Sequence, residues 1–418
     1  MKEYQAIIIG GGSAGMAAAL ELYDNGIKDV LIIERNAELG GILLQCIHNG
    51  FGLKVFKEEL TGPEYAERFV KMIDKKGIEY KLSSMVIDIN DDKIVTYANE
   101  QEGYQEVKAD AIIFTTGCYE RNRGAVHIPG KRPSGIITAG TAQKYLNMDG
   151  YLVGKNVFIL GSGDIGLIMA RRMTLEGAKV LGVAEIMPYS GGLKRNIVQC
   201  LDDYNIPLYL KHTVTNIEGE NHIERITISE VDNFTPIPGT EKTFEVDALL
   251  LSIGLIPENG LGEKLGIQLH PQTKGPVVDE NYQTSIEGIF ACGNALHVHD
   301  LVDYVTEESK RCGKSVAKYL KHQVSISNEV IRLVPDNGIS YVVPATLNKE
   351  NIDTKIELFM ITTGVYQNVN IYIYGDNKLI RSIKRKHMAP AEMEKVIIAK
   401  KDLLNISSEI RFEVGESI

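Results

Sequence analysis

The sequence of 418 residues predicts an α/β protein that carries one supersecondary unit twice and ends in a small all-β region. Three observations carry this prediction. A strand, a glycine-rich turn, a helix and a second strand follow one another near the start of the chain, and the same order returns in its middle. Beyond about residue 327 the helical pattern gives way to short strands separated by turn residues. A chain of this length is expected to hold two or three domains.

The first unit predicts a dinucleotide site. Residues 6–9 form a short apolar run typical of a strand buried in a parallel sheet, and a helix is predicted from Met16. The turn between them lets backbone approach a pyrophosphate, and the helix N-terminus offers it free N–H groups. The second strand ends at Glu34, nineteen positions after the last glycine, where an acid accepts hydrogen bonds from a ribose. The glycine spacing is that of Gly10, Gly12 and Gly15.

The second unit repeats this order over residues 156–185, with Glu185 again nineteen positions after the last glycine. An acid at that point favours NAD over NADP, because it repels the 2′-phosphate of NADP. Lys194 and Arg195 lie close enough in sequence to weaken the preference. Two units predict two ligands, and the alternative is that the second unit keeps the fold and binds nothing. Its loop reads Gly161, Ser162, Gly163, Asp164, Ile165 and Gly166.

Composition narrows the function class. The chain has 45 Lys and Arg against 55 Asp and Glu, a net charge of −10, which argues against nucleic acid or an anionic membrane as a partner. There is no secretory signal at Met1 and no apolar run of the roughly 18–20 residues that span a bilayer. The five cysteines are dispersed without a CxxC pair, as in reduced thiols rather than an iron–sulfur cluster. A cytoplasmic protein is expected.

Further segments identify the chain as a member of the superfamily of pyridine nucleotide-linked flavoproteins with two dinucleotide domains. Residues 110–117 resemble the strand that leaves the FAD domain, and residues 247–257 resemble its counterpart in the NAD domain. Residues 284–294 are similar to the segment that closes on the ribityl chain, although Asn294 stands where the family usually has Asp. An Asn keeps the hydrogen bond and brings no charge. The resemblance implies two Rossmann-like domains, with the NAD domain inserted in the FAD domain.

The domains and site residues follow from this resemblance. The implied domains are the first part of the FAD domain (1–120), the NAD(P) domain (121–280), the second part of the FAD domain (281–326) and a C-terminal β domain (327–418). The implied FAD residues are Gly10, Gly12, Ser13, Ala14, Gly15, Glu34, Arg35, Gly41, Gln45, Val86, Thr116, Gly117, Gly293 and Asn294. The implied residues for NAD are Gly161, Gly163, Asp164, Ile165, Gly166, Glu185 and Gly254.

A narrower resemblance lies in residues 40–52, 59–65 and 128–140. These segments are similar to flavoprotein subunits related to sarcosine oxidase alpha and hydrogen cyanide synthase B. They most resemble the flavoprotein found with anaerobic-type glycerol-3-phosphate dehydrogenase homologues. The resemblance implies a subunit that transfers hydride between nicotinamide and FAD. Its partners would be a flavoprotein dehydrogenase, of glycerol-3-phosphate or amine or hydroxy-acid type, and a small cysteine-rich iron–sulfur subunit. Self-association is left open.

Two other functions stay open. Disulfide reductases of this superfamily carry a cysteine pair soon after the acid that matches Glu34, or in the NAD domain, and neither place has a pair here. Cys46 stands alone twelve positions after Glu34, roughly where single-cysteine reductases and peroxidases carry their redox thiol. The chain could therefore be a stand-alone thiol reductase or NADH oxidase, or Cys46 could simply pack near the flavin. A structural FAD-bound subunit without nicotinamide activity is the other alternative.

No catalytic side chain is assigned, and the candidates are Cys46, His48 and His297. His48 could act on a proton beside the flavin or cap a turn. His297 and His299 fall in a segment predicted to begin a helix, where alternate residues diverge; they share a face only in an extended segment. Asp300 and Asp303 could add ligands, but nothing else in the sequence completes a site, so no metal is predicted.

Seven short strands are predicted from residue 329 to residue 414, which indicates a small antiparallel β-sandwich. This region carries no cofactor motif. Residues 384–387 are basic and precede Pro390, so a loop is predicted there. The loop is either solvated or a docking surface for a partner subunit.

Overall fold

The computed structural model describes residues 1–325, 329–390 and 392–416. The chain forms two compact units, Met1–Cys118 with Pro257–Ile418, and Tyr119–Ile256. The predicted boundary at residues 326–327 lies outside the described residues, and the division into four domain segments stays a prediction. Within the described ranges, no helix is both long and apolar enough to cross a bilayer.

Helices and strands are mixed over the first 320 residues, and almost all elements after that are strands. Residues 1–117 contain β1 (Lys2–Ile9), α1 (Ser13–Asp24), β2 (Val30–Ile33), β3 (Asn49–Phe51), β4 (Leu60–Thr61), α2 (Gly62–Lys76), β5 (Glu79–Lys81), β6 (Met85–Ile89), β7 (Ile94–Asn99) and β8 (Gly103–Phe114). Residues 118–257 contain β9 (Cys118–Glu120), β10 (Ile136–Thr138), α3 (Ala139–Asn147), β11 (Asn156–Leu160), α4 (Asp164–Leu175), β12 (Lys179–Glu185), α5 (Lys194–Cys200), β13 (Leu208–Leu210), β14 (His212–Glu218), β15 (Arg225–Asp232), β16 (Thr235–Pro236), β17 (Lys242–Glu245), β18 (Ala248–Leu251) and β19 (Leu255–Pro257).

The remaining elements complete the first unit. They are α6 (Gly260–Lys264), β20 (Ile289–Ala291), α7 (Val302–Leu320), β21 (Ile331–Pro335), β22 (Ile339–Val343), β23 (Thr346–Leu347), β24 (Lys355–Thr362), β25 (Tyr366–Gly375), β26 (Lys378–Met388), β27 (Glu394–Ala399), α8 (Lys400–Leu403) and β28 (Glu409–Glu416).

The N-terminal sheet of the first unit has the order β5-β2-β1-β8-β7-β6, and β20 pairs with β8. Strands β5, β2, β1, β8 and β20 are parallel to one another, whereas β7 and β6 extend the sheet beyond β8 as an antiparallel ribbon. Strand β2 and most of β1 are buried on both faces, which explains their unbroken apolar runs. Helix α1 packs against α7, and the close approach requires Gly313, where a Cβ would lie 2.7 Å from the Ala18 carbonyl oxygen.

The second unit is built around a five-stranded parallel sheet of order β10-β18-β11-β12-β13. A smaller antiparallel sheet, formed by β14 to β17, lies beside it in the chain. This is the second α/β unit that the sequence predicts, so the predicted fold class is confirmed.

The all-β C-terminal region is also confirmed, with eight strands in its described residues instead of the predicted seven, but it is not wholly antiparallel because β21 and β28 pair in parallel. A five-stranded sheet, β23-β21-β28-β25-β26, and a three-stranded sheet, β22-β24-β27, enclose one apolar core. The predicted loop at residues 384–387 is wrong, because these residues continue β26 in register with β25. The Arg385 side chain, whose Nε donates to Glu394 Oε2 at 2.7 Å, holds this extension against the start of β27.

The C-terminal region docks on the segment that precedes β20. Glu280 accepts hydrogen bonds from the Asn348 amide at 2.8 Å and from Asn351 Nδ2 at 2.7 Å. The neighbouring Asp279 closes a turn, and its Oδ1 accepts from the amides of Asn281 at 2.8 Å and Gln283 at 3.0 Å. Burial, reinforced by the charge of Glu280, raises the pKa of Asp279 to about 7.

This raised pKa makes the stability of the protein depend on pH. In the unfolded chain Asp279 ionises at its ordinary pKa of 3.8, whereas the folded protein keeps it protonated up to about pH 7. Because the unfolded state loses this proton first, the free energy of unfolding falls as pH rises from about 4 to 7. Asp279→Asn keeps the Oδ1 acceptor and removes the charge. We expect it to raise Tm by a few degrees at pH 8, and by less at pH 5, in thermal unfolding. An Asp91→Asn control, at an exposed turn, should show no such trend. A gain that does not grow with pH would contradict this account.

Candidate functional site

The first glycine loop is closed on one side and open on the other. Gly10 has φ of +108°, and a Cβ there would lie 2.5 Å from the Thr115 carbonyl oxygen. A Cβ on Gly15 would overlap the carbonyl of Gly10. At Gly12, by contrast, a Cβ would meet no described atom within 4 Å. Gly10 and Gly15 are thus required for packing, and Gly12 leaves bare backbone facing open space.

The carboxylate of Glu34 is fixed at the edge of this loop. Glu34 is only 4% exposed, its Oε2 accepts from the Gly11 amide at 2.7 Å and its Oε1 accepts from the Asn36 amide at 2.8 Å. Helix α1 has no side-chain cap among the described residues, so no side chain takes the place of an anion at its first turn. The loop therefore offers amides for a pyrophosphate beside an acid for a ribose.

Other predicted FAD residues converge on the same loop. Gly40 donates to the Gly11 carbonyl at 2.9 Å, which places Gly41 so close that its Cβ would lie 3.1 Å from the Gly12 Cα. Thr115 Oγ1 donates to the Gly10 carbonyl at 2.9 Å, and Thr116 and Gly117 follow it directly. A Cβ on Gly293 would lie 2.7 Å from the Cβ of Ala14. Of the other predicted FAD residues, Gln45 and Val86 are buried and Arg35 is exposed.

Asn294 uses its side chain to hold its own loop. Its Oδ1 accepts from the His299 amide at 3.0 Å, and its Nδ2 lies 3.7 Å from Cys118 Sγ. The predicted bond from Asn294 to a ribityl hydroxyl stays a prediction.

The second glycine loop repeats the construction of the first. Gly161, Gly163, Gly166 and Glu185 each lie 151 positions after their counterparts. Glu185 is 8% exposed; its Oε2 accepts from the Ser162 amide at 2.9 Å and its Oε1 from the Met187 amide at 2.9 Å. Helix α4 likewise has no side-chain cap among the described residues. The second unit therefore carries the same arrangement of acid and amides.

Asp164 organises the chain that follows Glu185. Its Oδ1 accepts from the Leu193 amide at 2.8 Å and from Asn196 Nδ2 at 2.7 Å. This contact fixes the start of α5, where the side chains of Lys194 and Arg195 are exposed. Of the other residues predicted here, Ile165 is half-buried and Gly254 has φ of +104°.

Cys46 lies between the first loop and α2. Its thiol donates to the Ile42 carbonyl at 3.3 Å, and its own carbonyl accepts from the Gly62 amide at 2.8 Å. Burial raises the pKa of Cys46 to about 12, so the thiol is protonated at neutral pH. The ring of His48 packs on Phe51, with centroids 5.0 Å apart.

The five cysteines form no disulfide, yet two of them meet. Cys292 and Cys312 are fully buried, and the contact between their side chains, together with burial, raises the pKa of Cys312 well above its ordinary value. Twenty positions separate them, so sequence spacing gave no sign of this contact.

His297 and His299 point the same way, which the predicted helix did not allow. A short 3₁₀ turn at Gly293–Ala295 ends before them and α7 begins only at Val302, so their rings lie 4.2 Å apart. His297 Nε2 lies 2.8 Å from Glu308 Oε2, and His299 Nε2 lies 3.2 Å from Glu308 Oε1. Asp303 turns away and accepts from the amides of Gly52 at 3.1 Å and Val55 at 2.8 Å.

The charges of this cluster are set by burial. Burial lowers the pKa of His297 and keeps its imidazole neutral, and burial alone would raise the pKa of Glu308. The two adjacent imidazoles outweigh that effect and hold the pKa of Glu308 well below its ordinary value. Glu308 is thus a carboxylate, and its Oε1 also accepts from the Gly293 amide at 2.8 Å.

Comparisons with known proteins agree with this geometry. The profile of the pyridine nucleotide-disulphide oxidoreductase family matches residues 4–318. The chain is 24% identical to hydrogen cyanide synthase subunit HcnB of Pseudomonas protegens over 70% of its own length, and spans 64% of that protein. It is 28% identical to thioredoxin reductase of Bacillus subtilis, covering 79% of this chain and 98% of that one.

A solved structure confirms the fold. Thioredoxin reductase of T. acidophilum superposes with a TM-score of 0.61 at 23% identity, over 77% of this chain and 99% of that one. The predicted resemblance to a hydrogen cyanide synthase subunit is confirmed as well. The open backbone at Gly12 and the fixed acid Glu34 fit FAD in the first unit, and Gly163 with Glu185 fits a nicotinamide dinucleotide in the second.

The open space at Gly12 can be tested with a side chain. Gly12→Val places an isopropyl group where the pyrophosphate would approach, and its Cβ would meet no described atom within 4 Å. We expect the apoprotein to keep its Tm within a few degrees while FAD affinity falls at least tenfold, about 1.4 kcal/mol. Titration of apoprotein with FAD, followed by flavin fluorescence, measures this loss. Gly364→Val, in the C-terminal region, is the matched control and should leave affinity unchanged. Equal affinity in both variants would show that FAD does not approach Gly12.

Proposed function

We propose that this chain, which belongs to the pyridine nucleotide-disulphide oxidoreductase family and is an FAD-dependent pyridine nucleotide oxidoreductase, is an electron-relay subunit. The observation that carries the proposal is the pair of equivalent loops, each with a buried acid held by main-chain amides, in a chain whose five cysteines form no disulfide. Two sites predict exchange between two cofactors, and the two cysteines that meet, Cys292 and Cys312, are fully buried, away from any external disulfide substrate. A partner would take the electrons further.

The protein contributes orientation and electrostatics to the reaction. Bound FAD supplies the chemistry, since its N5 exchanges a hydride with C4 of the nicotinamide. Glu34 and Glu185 position the two riboses, and the uncapped starts of α1 and α4 offer their dipoles to the two pyrophosphates. No side chain needs to act as a nucleophile.

The proposed nucleotide is NADH rather than NADPH. The negatively charged carboxylate of Glu185 is held in place by donors from Ser162 and Met187. That charge accepts a 2′-hydroxyl and repels a 2′-phosphate. Lys194 and Arg195 are exposed at the start of α5, where they moderate this repulsion.

The proposed partners come from the sequence resemblance and from the kind of relative found. Hydrogen cyanide synthase HcnB is by its name a subunit, although this chain spans only 64% of it. A flavoprotein dehydrogenase acting on glycerol-3-phosphate or on an amine or hydroxy acid, with a small cysteine-rich iron–sulfur subunit, would complete the relay.

Nucleotide choice is the first test of this proposal. In anaerobic stopped-flow mixing we expect NADH to bleach the flavin absorbance at least tenfold faster than NADPH at equal concentration. Glu185→Gln removes the repelling charge and should narrow that ratio about tenfold. The exposed Glu224→Gln in the same unit is the control and should leave the ratio unchanged. If neither nucleotide reduces the flavin, the chain is a structural subunit and the relay is wrong.

Cys46 separates the relay from a stand-alone thiol reductase. With its pKa raised to about 12, Cys46 should react with iodoacetamide at pH 8 much more slowly than free cysteine. We expect Cys46→Ser to change the rate of flavin reduction by NADH less than twofold, as does the control Cys118→Ser. Turnover of disulfide or peroxide substrates should be weak in the isolated wild type. Strong turnover that disappears in Cys46→Ser would identify a thiol reductase instead.

A further inference from the structure

The cluster of His297, His299 and Glu308 brings three metal-binding side chains to one buried point. All three side chains have no exposed surface, and one ligand atom from each lies within 4.8 Å of the others. Two imidazoles and a carboxylate form the set that binds zinc in many enzymes and iron(II) in others. Neither Asp300 nor Asp303 belongs to this set.

His299 supplies a second, independent observation. Its side chain is fully buried, yet neither ring nitrogen makes a hydrogen bond to any described residue. Its Nε2 lies 3.2 Å from Glu308 Oε1 without the alignment of a hydrogen bond. The ring of His299 packs against that of Phe359, with centroids 5.6 Å apart. Buried imidazoles are normally partnered, so a group that binds Nε2 through its lone pair is the missing partner.

The carboxylate has the capacity for such a group. Glu308 Oε1 already accepts from the Gly293 amide at 2.8 Å, and a carboxylate has about four acceptor positions. The guanidinium of Arg311, one turn along α7, makes its hydrogen bonds elsewhere, to the hydroxyl of Tyr282 at 3.0 Å and to Glu357 at 2.8 Å.

We propose that His297, His299 and Glu308 bind one divalent cation of the zinc and iron(II) class. Metal bonds of about 2.0–2.1 Å place ligand atoms roughly 3.3 Å apart, close to the present 2.8 Å and 3.2 Å contacts. Binding replaces the contact between His297 and Glu308 by two bonds to the ion. It also gives Nε2 of His299 a partner.

All three proposed ligands lie in residues 297–308, and the C-terminal β region packs against them. The two histidines follow the Gly293 turn, Glu308 lies on α7, and Tyr341 and Phe359 of the β region pack on the histidine rings. The Gly293 amide, held by the same carboxylate, belongs to the loop predicted to close on FAD. A structural ion at this point stabilises the docking of the β region.

Metal analysis of the FAD-loaded protein tests the proposal. The chain is expressed in medium supplemented with Zn²⁺ or, anaerobically, with Fe²⁺. Any polyhistidine purification tag is removed before the analysis, because polyhistidine binds metals. We expect close to one metal ion per chain by elemental mass spectrometry and a higher Tm than for chelator-treated protein. His299→Gln should reduce the content at least tenfold and remove the gain in Tm. The exposed His322→Gln, at the end of α7, is the matched control and should retain the ion.

Cobalt substitution provides a spectroscopic readout of the site in the wild-type protein. Co²⁺ added during refolding should give visible d–d absorption typical of nitrogen and oxygen ligands, and Zn²⁺ should displace it. Glu308→Gln, nearly the same shape, should abolish the signal if the fold survives. Less than about 0.1 ion per chain after supplementation, with no cobalt spectrum, would overturn the proposal. Unchanged metal content in His299→Gln would overturn it equally.

Discussion

In both α/β units a carboxylate at the end of the second parallel strand accepts a hydrogen bond from the amide of the glycine loop, and each ligand site depends on this bond. A buried carboxylate is costly unless hydrogen-bonded, and Glu34 and Glu185 each meet two or more main-chain or hydroxyl donors. The strand fixes the acid and the following helix fixes the loop. The bond therefore fixes the position of each carboxylate relative to the main-chain amides of its glycine loop.

The sequence predicted this part of the molecule well because its information is local. Gly10, Gly15, Gly161 and Gly166 stand where a Cβ would strike the backbone or a neighbouring strand, so only glycine satisfies both spacing and sterics. The acid follows at a distance fixed by one helix and one strand. Such units can be read from about thirty residues without knowledge of the rest of the chain.

The remaining contacts join residues far apart in sequence, and no spacing rule reaches them. Asp303 holds the amides of Gly52 and Val55 across some 250 positions, and Glu308 meets two histidines only because the chain runs irregularly before α7. A helix continuing from Asn294 would have separated those histidines. The end of β26, residues 384–387, was predicted as a loop for a similar reason. Its partner β25 and the Glu394 contact outweigh a local pattern typical of a loop.

The discontinuity of the first unit has a consequence for synthesis on the ribosome. The parallel sheet of the second unit uses only strands between Ile136 and Leu251, so it is complete as soon as that stretch has emerged. The N-terminal sheet must wait for β20 and α7, whose partners β8 and α1 were made some 175 and 300 residues earlier. The inserted unit can thus fold first and shorten the loop that the outer unit has to close, which lowers the entropy cost of that closure. The two units can therefore fold one after the other during synthesis.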